Sequence, residues 1–177
     1  TNNIELNIIG NGVLEKNIAD MIREKNLTEY VHMLGAMSPE NVRRYMDEAN
    51  IYIFTSDYNE GWGAVLNEAM NSACAVVCCS AIGSSGYLIE NGINGYTYDF
   101  EDANKLFECT VKLIKNSELR KKIGVNAYKT ITELWSSKIA AERFIKLSES
   151  LLGEGRAIEY KRGPLSEAEI IKPRKIW

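Results

Sequence analysis

The sequence predicts an α/β domain of Rossmann-like, three-layer α/β/α architecture built on a parallel sheet. Three observations carry that expectation. Short apolar, β-branched runs alternate with stretches of helical apolar spacing, the connections between them are short, and glycines recur where the runs end. Such strand–helix alternation implies right-handed crossovers with helices on both faces of the sheet.

The elements follow in chain order. Leu6-Asn7-Ile8-Ile9 reads as a first strand, and Gly10-Asn11-Gly12 turns into the helical pattern Val13, Leu14, Ile18, Met21, Ile22. Val31-His32-Met33-Leu34 is a second strand ending at Gly35. Ser38-Pro39-Glu40 opens a helix that should run to about Asp47, with proline at its first helical position. Ile51-Tyr52-Ile53-Phe54-Thr55 suits a buried parallel strand. After the polar loop from Ser56 to Glu60, the spacing of Val65, Leu66, Ala69, Met70 and Ala73 predicts a helix starting near Gly63. Ala75-Val76-Val77-Cys78-Cys79 is the next strand. A turn-rich segment, Gly83-Ser84-Ser85-Gly86, then leads to Tyr87-Leu88-Ile89-Glu90, and Gly92 and Gly95 bracket a turn into a short strand near Tyr96-Thr97-Tyr98. From Asp102 to about Leu152 the chain reads as helical, with breaks near Asn116-Ser117 and Trp135-Ser136.

These elements make residues 1–152 one domain, and with 177 residues a second does not fit. From Gly153 the composition changes: Gly153, Gly155, Gly163, Pro164 and Pro173 interrupt a charged stretch, so 153–177 reads as a loosely structured tail, with Ser166-Glu167-Ala168-Glu169 as the start of one short helix. Hydrophobic content of 45%, charged content of 25% and a formal net charge of −3 place the chain among soluble globular proteins and weigh against nucleic acid as a partner. No run approaches the roughly 18 apolar residues of a membrane span, and no signal-peptide pattern opens the chain, so the expected location is cytoplasmic. The basic run Lys172-Pro173-Arg174-Lys175 leaves peripheral contact with an acidic lipid surface open, although a solvated terminus is the commoner role of such a run.

Cys74, Cys78, Cys79 and Cys109 show no CxxC pair, and with a single histidine, His32, they make a poor zinc set; no metal is expected. The cysteines read as reduced and mostly buried, with Cys78 and Cys79 on opposite faces of their strand. His32, inside a strand, reads as structural, and Trp135 as core.

The stretch Glu60-Gly61-Trp62-Gly63-Ala64-Val65-Leu66-Asn67-Glu68 carries the chemistry. A helix start leaves backbone N–H groups unpaired at the positive end of the macrodipole, and Gly61 and Gly63 let a ligand approach that backbone closely. Helical side chains lean toward the N-terminus, so Glu68 reaches toward the mouth that Glu60 borders. Carboxylates repel phosphate; their natural partners are sugar hydroxyls, as in dinucleotide sites. The pair therefore suggests a nucleotide sugar, against the plainer reading of two solvated glutamates and two turn glycines. Trp62 either stacks on a sugar or packs under the loop. In a parallel sheet, ligands sit outside the carboxyl ends of the strands, so the loops Gly10–Gly12, Gly35–Met37, Ser56–Gly63 and Ser80–Gly86 are expected to line one crevice.

The ordered set Ile8-Ile9-Gly10-Asn11-Gly12, Val31-His32-Met33-Leu34-Gly35, Glu60-Gly61-Trp62-Gly63 with Glu68-Ala69-Met70, Ala75-Val76-Val77, and Asn91-Gly92-Ile93-Asn94-Gly95 resembles the C-terminal, donor-binding domain of group 1 retaining glycosyltransferases of the GT-B fold. The resemblance covers roughly residues 4–150 and includes the helical end around Trp135-Ser136. It implies transfer of a sugar from a nucleotide diphosphate sugar to a hydroxyl acceptor with retention, and no cofactor or bound metal beyond that substrate. Carried over by position, Glu60 would hydrogen-bond the donor sugar as the catalytic-site carboxylate, orienting it rather than acting as a base. Glu68 would hold the ribose hydroxyls, and backbone N–H groups of Gly61, Trp62, Gly63, Ala64 and Val65 would face the sugar and diphosphate. Gly12 would let the first loop approach the phosphates, and Gly35 with Met37 would flank the base.

The chain also departs from that pattern. The family's first strand and helix, with the Arg and Lys that clamp the diphosphate, would precede Thr1, as would the acceptor-binding N-terminal domain, supplied in cis or in trans; the fragment alone should be inactive or nearly so. Tyr87 stands where the family has a Glu, Ser84 where it has a second Gly, and Ala73-Cys74-Ala75 replaces Gly-x-Pro. A non-catalytic nucleotide-sugar-binding or scaffolding module of the same fold is the rival reading.

Overall fold

In the computed structural model, residues 4–153, 155 and 158–167 are described, and the chain divides into two compact units, Thr1–Tyr45 and Met46–Trp177. In the first unit, β1 (Leu6–Ile9) is followed by α1 (Glu15–Glu24) and β2 (Val31–Gly35), and α2 (Pro39–Glu48) runs across the division. β1 and β2 pair in parallel, Leu6 with Val31 through Ile9 with Gly35, with a register shift between Ile8 and Ile9. Two strands bury little: α1 has no buried residue, and Leu6 keeps 44% of its surface exposed.

The second unit holds the core. β3 (Ile51–Phe54), β4 (Ala75–Cys79) and β5 (Tyr96–Tyr98) form a parallel ladder with β4 at its centre. α3 (Ala64–Asn71), the single turn α4 (Ser85–Leu88), α5 (Ala103–Lys115), α6 (Ser117–Lys129), a π-turn (Thr130–Leu134) and α7 (Ser137–Gly153) complete it. All five residues of β4 are buried, which is why that strand is apolar throughout rather than alternating. Leu66 and Met70 of α3, Leu113 of α5 and Ile123 of α6 are fully buried with it, and α3, α5 and α6 all contact β4. The helix breaks have local causes. The Asp102 carboxylate caps α5 by accepting from the Lys105 N–H at 2.9 Å, and the Asn116 side chain ends α5 and caps α6 by accepting from Leu119.

The strands form two parallel ladders, β1–β2 and β3–β4–β5.

After α7, residues 158–167 form a turn around Arg143. Tyr160 and Ser166 form a bridge, and the Arg143 guanidinium donates to the carbonyls of Arg162 at 2.5 Å and Pro164 at 3.0 Å while lying 4.5 Å from the Tyr160 ring centre. Gly163 is buried there, at φ 90°, with no room for a side chain between Arg143 and Leu134. Arg162 pairs with Glu90 at 2.7 Å. Glycine and proline shape this turn around one arginine. The helix expected from Ser166 to Glu169 lies partly outside the described residues.

Candidate functional site

Within the first unit, the loops after β1 and β2 leave the same, carboxyl end of the ladder, and Gly10 donates to the Gly35 carbonyl at 2.8 Å. Gly10 (φ 126°) and Gly35 (φ 68°) hold left-handed backbone, and an added Cβ at Gly12 or Gly35 would meet nothing within 4 Å. Gly12 is exposed, and Gly35 and Met37 are half-buried. The structure thus brings these three predicted residues to one end of their own ladder. His32 pairs with Asn7 in the strand and lies half-buried.

In the second unit, the loop from β3 to α3 carries the paired glutamates. An Asp57 turn shapes it: the Asp57 carboxylate accepts from the Asn59 N–H at 2.8 Å, and its carbonyl accepts from the Glu60 N–H at 3.1 Å. Glu60 is half-buried and accepts from the Ser56 hydroxyl at 3.4 Å. Glu68, in the second turn of α3, is exposed, and Ala64 and Val65 form the helix start.

Gly63 sets the geometry. It is the N-cap of α3 at φ 75°, ψ 57°, and offers no side chain to the first helical N–H groups. A Cβ there would lie 2.7 Å from Ile82 Cγ2 and 2.9 Å from Phe54 Cε1, so the residue must be glycine on two counts. The neighbouring loop docks through backbone bonds, Gly83 N–H to the Gly61 carbonyl and Ser84 N–H to the Trp62 carbonyl, both 3.0 Å. A side chain at Gly83 would lie 2.4 Å from the Gly61 oxygen. The carbonyls of residues 61 and 62 are therefore turned into the protein.

Tyr52, Tyr87 and Trp135, none of them expected as site residues, sit with Trp62 and the glutamates of this loop. Tyr52 counted only as an apolar strand residue, yet its pKa is pushed up to about 12, first by burial and then by the charges of Glu68, Cys74 and Glu60. Its phenol thus lies within the field of both glutamates. Trp62, Tyr87 and Trp135 form an aromatic cluster with ring centres 5.7, 5.9 and 6.4 Å apart. Trp62 does not pack under its loop: it is 42% exposed, and its indole N–H donates to the Asn67 side chain at 2.9 Å. Trp135, read as core, is only half-buried, and its buried indole N–H has no hydrogen-bond partner. Alternating aromatics across distant loops leave no periodic signal, so spacing alone could not have found the cluster.

The remaining loop is braced by Asn94. Its side chain accepts from the Glu90 N–H at 2.7 Å and donates to the Leu88 carbonyl and the Thr130 hydroxyl, tying α4 to the π-turn that ends at Trp135. All four cysteines are free and buried, and burial pushes the Cys78 thiol up to about 12. Among the described residues, no group of three or more His, Cys, Asp or Glu is placed to hold a metal ion, and no helix is long and apolar enough to cross a membrane.

Parallel ladders with flanking helices, and glycine loops at the carboxyl ends of their strands, place the chain in the doubly wound α/β class. More narrowly, the chain belongs to the family described as glycosyl transferases group 1, whose profile matches residues 1–130. It is 28% identical over 149 residues to a poly(ribitol-phosphate) alpha-N-acetylglucosaminyltransferase of Staphylococcus aureus, covering 84% of this chain and 30% of that protein. It is 30% identical over 118 residues, 67% of this chain and 32% of the relative, to an N-acetylgalactosamine-N,N'-diacetylbacillosaminyl-diphospho-undecaprenol 4-alpha-N-acetylgalactosaminyltransferase of Campylobacter jejuni. A crystal structure of a mutant S. aureus TarM with fondaparinux, alpha-GlcNAc-glycerol and UDP superposes with a TM-score of 0.68 at 26% identity, covering 80% of this chain and 28% of that one. The fold is thus that of the C-terminal half of a GT-B protein. The chain spans about a third of the length of these relatives.

Proposed function

We propose that this chain is the donor-binding domain of a retaining hexosyltransferase, which moves a sugar from a nucleotide diphosphate sugar to a hydroxyl acceptor held by an N-terminal domain in cis or in trans. One observation carries the reading most: Glu60 and Glu68 flank a helix start whose cap, Gly63, has neither room nor backbone freedom for a side chain. The first N–H groups of α3 are thereby left for an anion, and the two carboxylates for hydroxyls.

The chemistry follows from those groups. As the glycosidic bond breaks, negative charge develops on the departing diphosphate, and preorganised N–H dipoles at residues 63–65 stabilise it without reorganising. Glu60, held from one side by Ser56, hydrogen-bonds the donor hexose and fixes its ring for attack. Glu68 accepts from the ribose hydroxyls. By the same resemblance, Gly12 approaches the phosphates, and Gly35 with Met37 flanks the base. The donor is the only small molecule the reaction needs, and four free, buried cysteines suit the reducing cytoplasm as its location.

Calorimetric titration of the chain with UDP, GDP and ADP tests the reading. One of the three should bind, and Glu68→Ala should weaken it by about tenfold or more, the worth of a hydrogen bond to a charged group. A folded protein that binds none of the three overturns the proposal.

A further inference from the structure

The aromatic cluster has a cost that packing alone does not explain. The Trp135 indole N–H is buried without an acceptor and the Ser84 hydroxyl, in the loop that docks on Trp62, is buried without a partner, at about 1–3 kcal/mol for each group. In native proteins such groups have a specific explanation, an ordered water or a functional site among them. Meanwhile Trp62, the largest apolar side chain on the donor loop, leaves 42% of its surface in water. Its ring is not loose there: the indole N–H is tied to Asn67 at 2.9 Å, and Tyr87 and Trp135 support it from two other segments, at ring separations of 5.7 and 5.9 Å. The result is a rigid aromatic face, open on one side, two residues from the carboxylate of Glu60.

We propose that Trp62, backed by Tyr87 and Trp135, is a stacking platform for a pyranose ring. A pyranose presents axial C–H bonds on one face and hydroxyls at its rim. The C–H edge is drawn to the negative face of an aromatic ring, as the positive edge of another ring would be. The rim then meets the polar groups beside the platform, Glu60 and Asn67. Because the Trp62 ring is already fixed, stacking on it costs little conformational freedom. Trp62 is thus a contact residue, and Tyr87 and Trp135 are positioning residues that act through it. The inference rests on the donor-domain reading, and the ring could belong to the donor sugar or to a glycosidic acceptor.

The test measures affinity of the chain for UDP, UDP-N-acetylglucosamine and methyl α-D-glucopyranoside, together with saturation transfer from aromatic protein protons to the sugar C–H protons. In wild type, transfer should concentrate on one face of the pyranose. Trp62→Ala should weaken pyranose binding by about tenfold, and Trp62→Phe, which keeps a ring, by about threefold or less. A loss confined to UDP-N-acetylglucosamine over UDP assigns the platform to the donor; a loss for the methyl glycoside assigns it to the acceptor. Tyr87→Leu should reproduce part of the Trp62→Ala loss while Tyr87→Phe retains affinity. UDP binding that persists while pyranose affinity is indifferent to Trp62→Ala, with the far-UV circular dichroism unchanged, overturns the platform and leaves the donor reading standing. Wild-type protein that shows no face-selective transfer to any of the pyranoses also overturns it, and loss of UDP binding in wild type removes the donor reading itself.

Discussion

Replacing Gly63 by alanine separates stability from binding at the same loop. The backbone there is left-handed, φ 75°, and a non-glycine residue in that region loses about 1–2 kcal/mol. The new methyl would lie 2.7 Å from Ile82 Cγ2 and 2.9 Å from Phe54 Cε1, both on buried side chains, so the core must shift, at about 1–3 kcal/mol for overpacking. Reduced freedom of the unfolded chain returns about 0.4–1 kcal/mol. The net loss is about 3 kcal/mol, which for a chain of this size lowers Tm by about 6–12 °C. Gly61→Ala is the matched control. An added Cβ there meets nothing within 4 Å and its φ is not positive, so its stability should stay within about 0.5 kcal/mol of wild type. It should still weaken nucleotide-sugar binding, because it puts a methyl where the ligand approaches the backbone. Urea unfolding followed by far-UV circular dichroism, with calorimetry for binding, reads both effects. Equal stability losses for the two variants, or a Gly63→Ala protein as stable as wild type, would refute the assignment of Gly63 as a position that only glycine fits.

Alkaline pH should destabilise the fold through groups that burial keeps protonated. The Cys78 thiol is pushed up to about 12 and that of Cys74 to about 11, so their contribution is complete below an unfolded thiol value near 8.5 and is lost as pH rises through those folded values. Melting temperatures should be flat from pH 6 to 8 and fall from about pH 9 upward, and Cys78→Ala should flatten that fall whatever its baseline; an unchanged slope contradicts the burial argument. At the chain's far end, Arg143→Ala removes two carbonyl hydrogen bonds and a ring contact from the 158–167 turn. It should cost about 1–2 kcal/mol and open the turn to trypsin at Lys161 and Arg162; an unchanged digestion pattern would show that the clasp does not hold the turn.

The legible part of this protein was the part written in short-range chemistry. Strand runs such as Ala75–Cys79 are apolar on both faces because both are covered, Asn116 and Asp102 cap helices they adjoin, and the glycines at 61 and 63 announce a helix start that a ligand can approach. The paired glutamates were visible for the same reason: seven intervening residues of loop and helix fix their separation without help from the rest of the fold. The Schellman ending of α3 shows the limit of such reading. Cys74 N–H reaches the Ala69 carbonyl and Ala73 N–H reaches Met70, with Ala73 at φ 56° where glycine would sit unstrained; the replaced Gly-x-Pro marked the position, but the residue types alone did not forecast its left-handed backbone.

By itself, then, the sequence determined the order and type of most elements and the family, because each is set by neighbours within a turn or two. The tertiary structure decided what depends on residues far apart in the chain. It separated the strands into two ladders, folded the glycine- and proline-rich turn onto Arg143, placed Tyr52 in the field of both glutamates, and gathered Trp62, Tyr87 and Trp135 into one open aromatic face. Side chains from separate segments meet only through the packing of the elements that carry them, and no local period records that meeting.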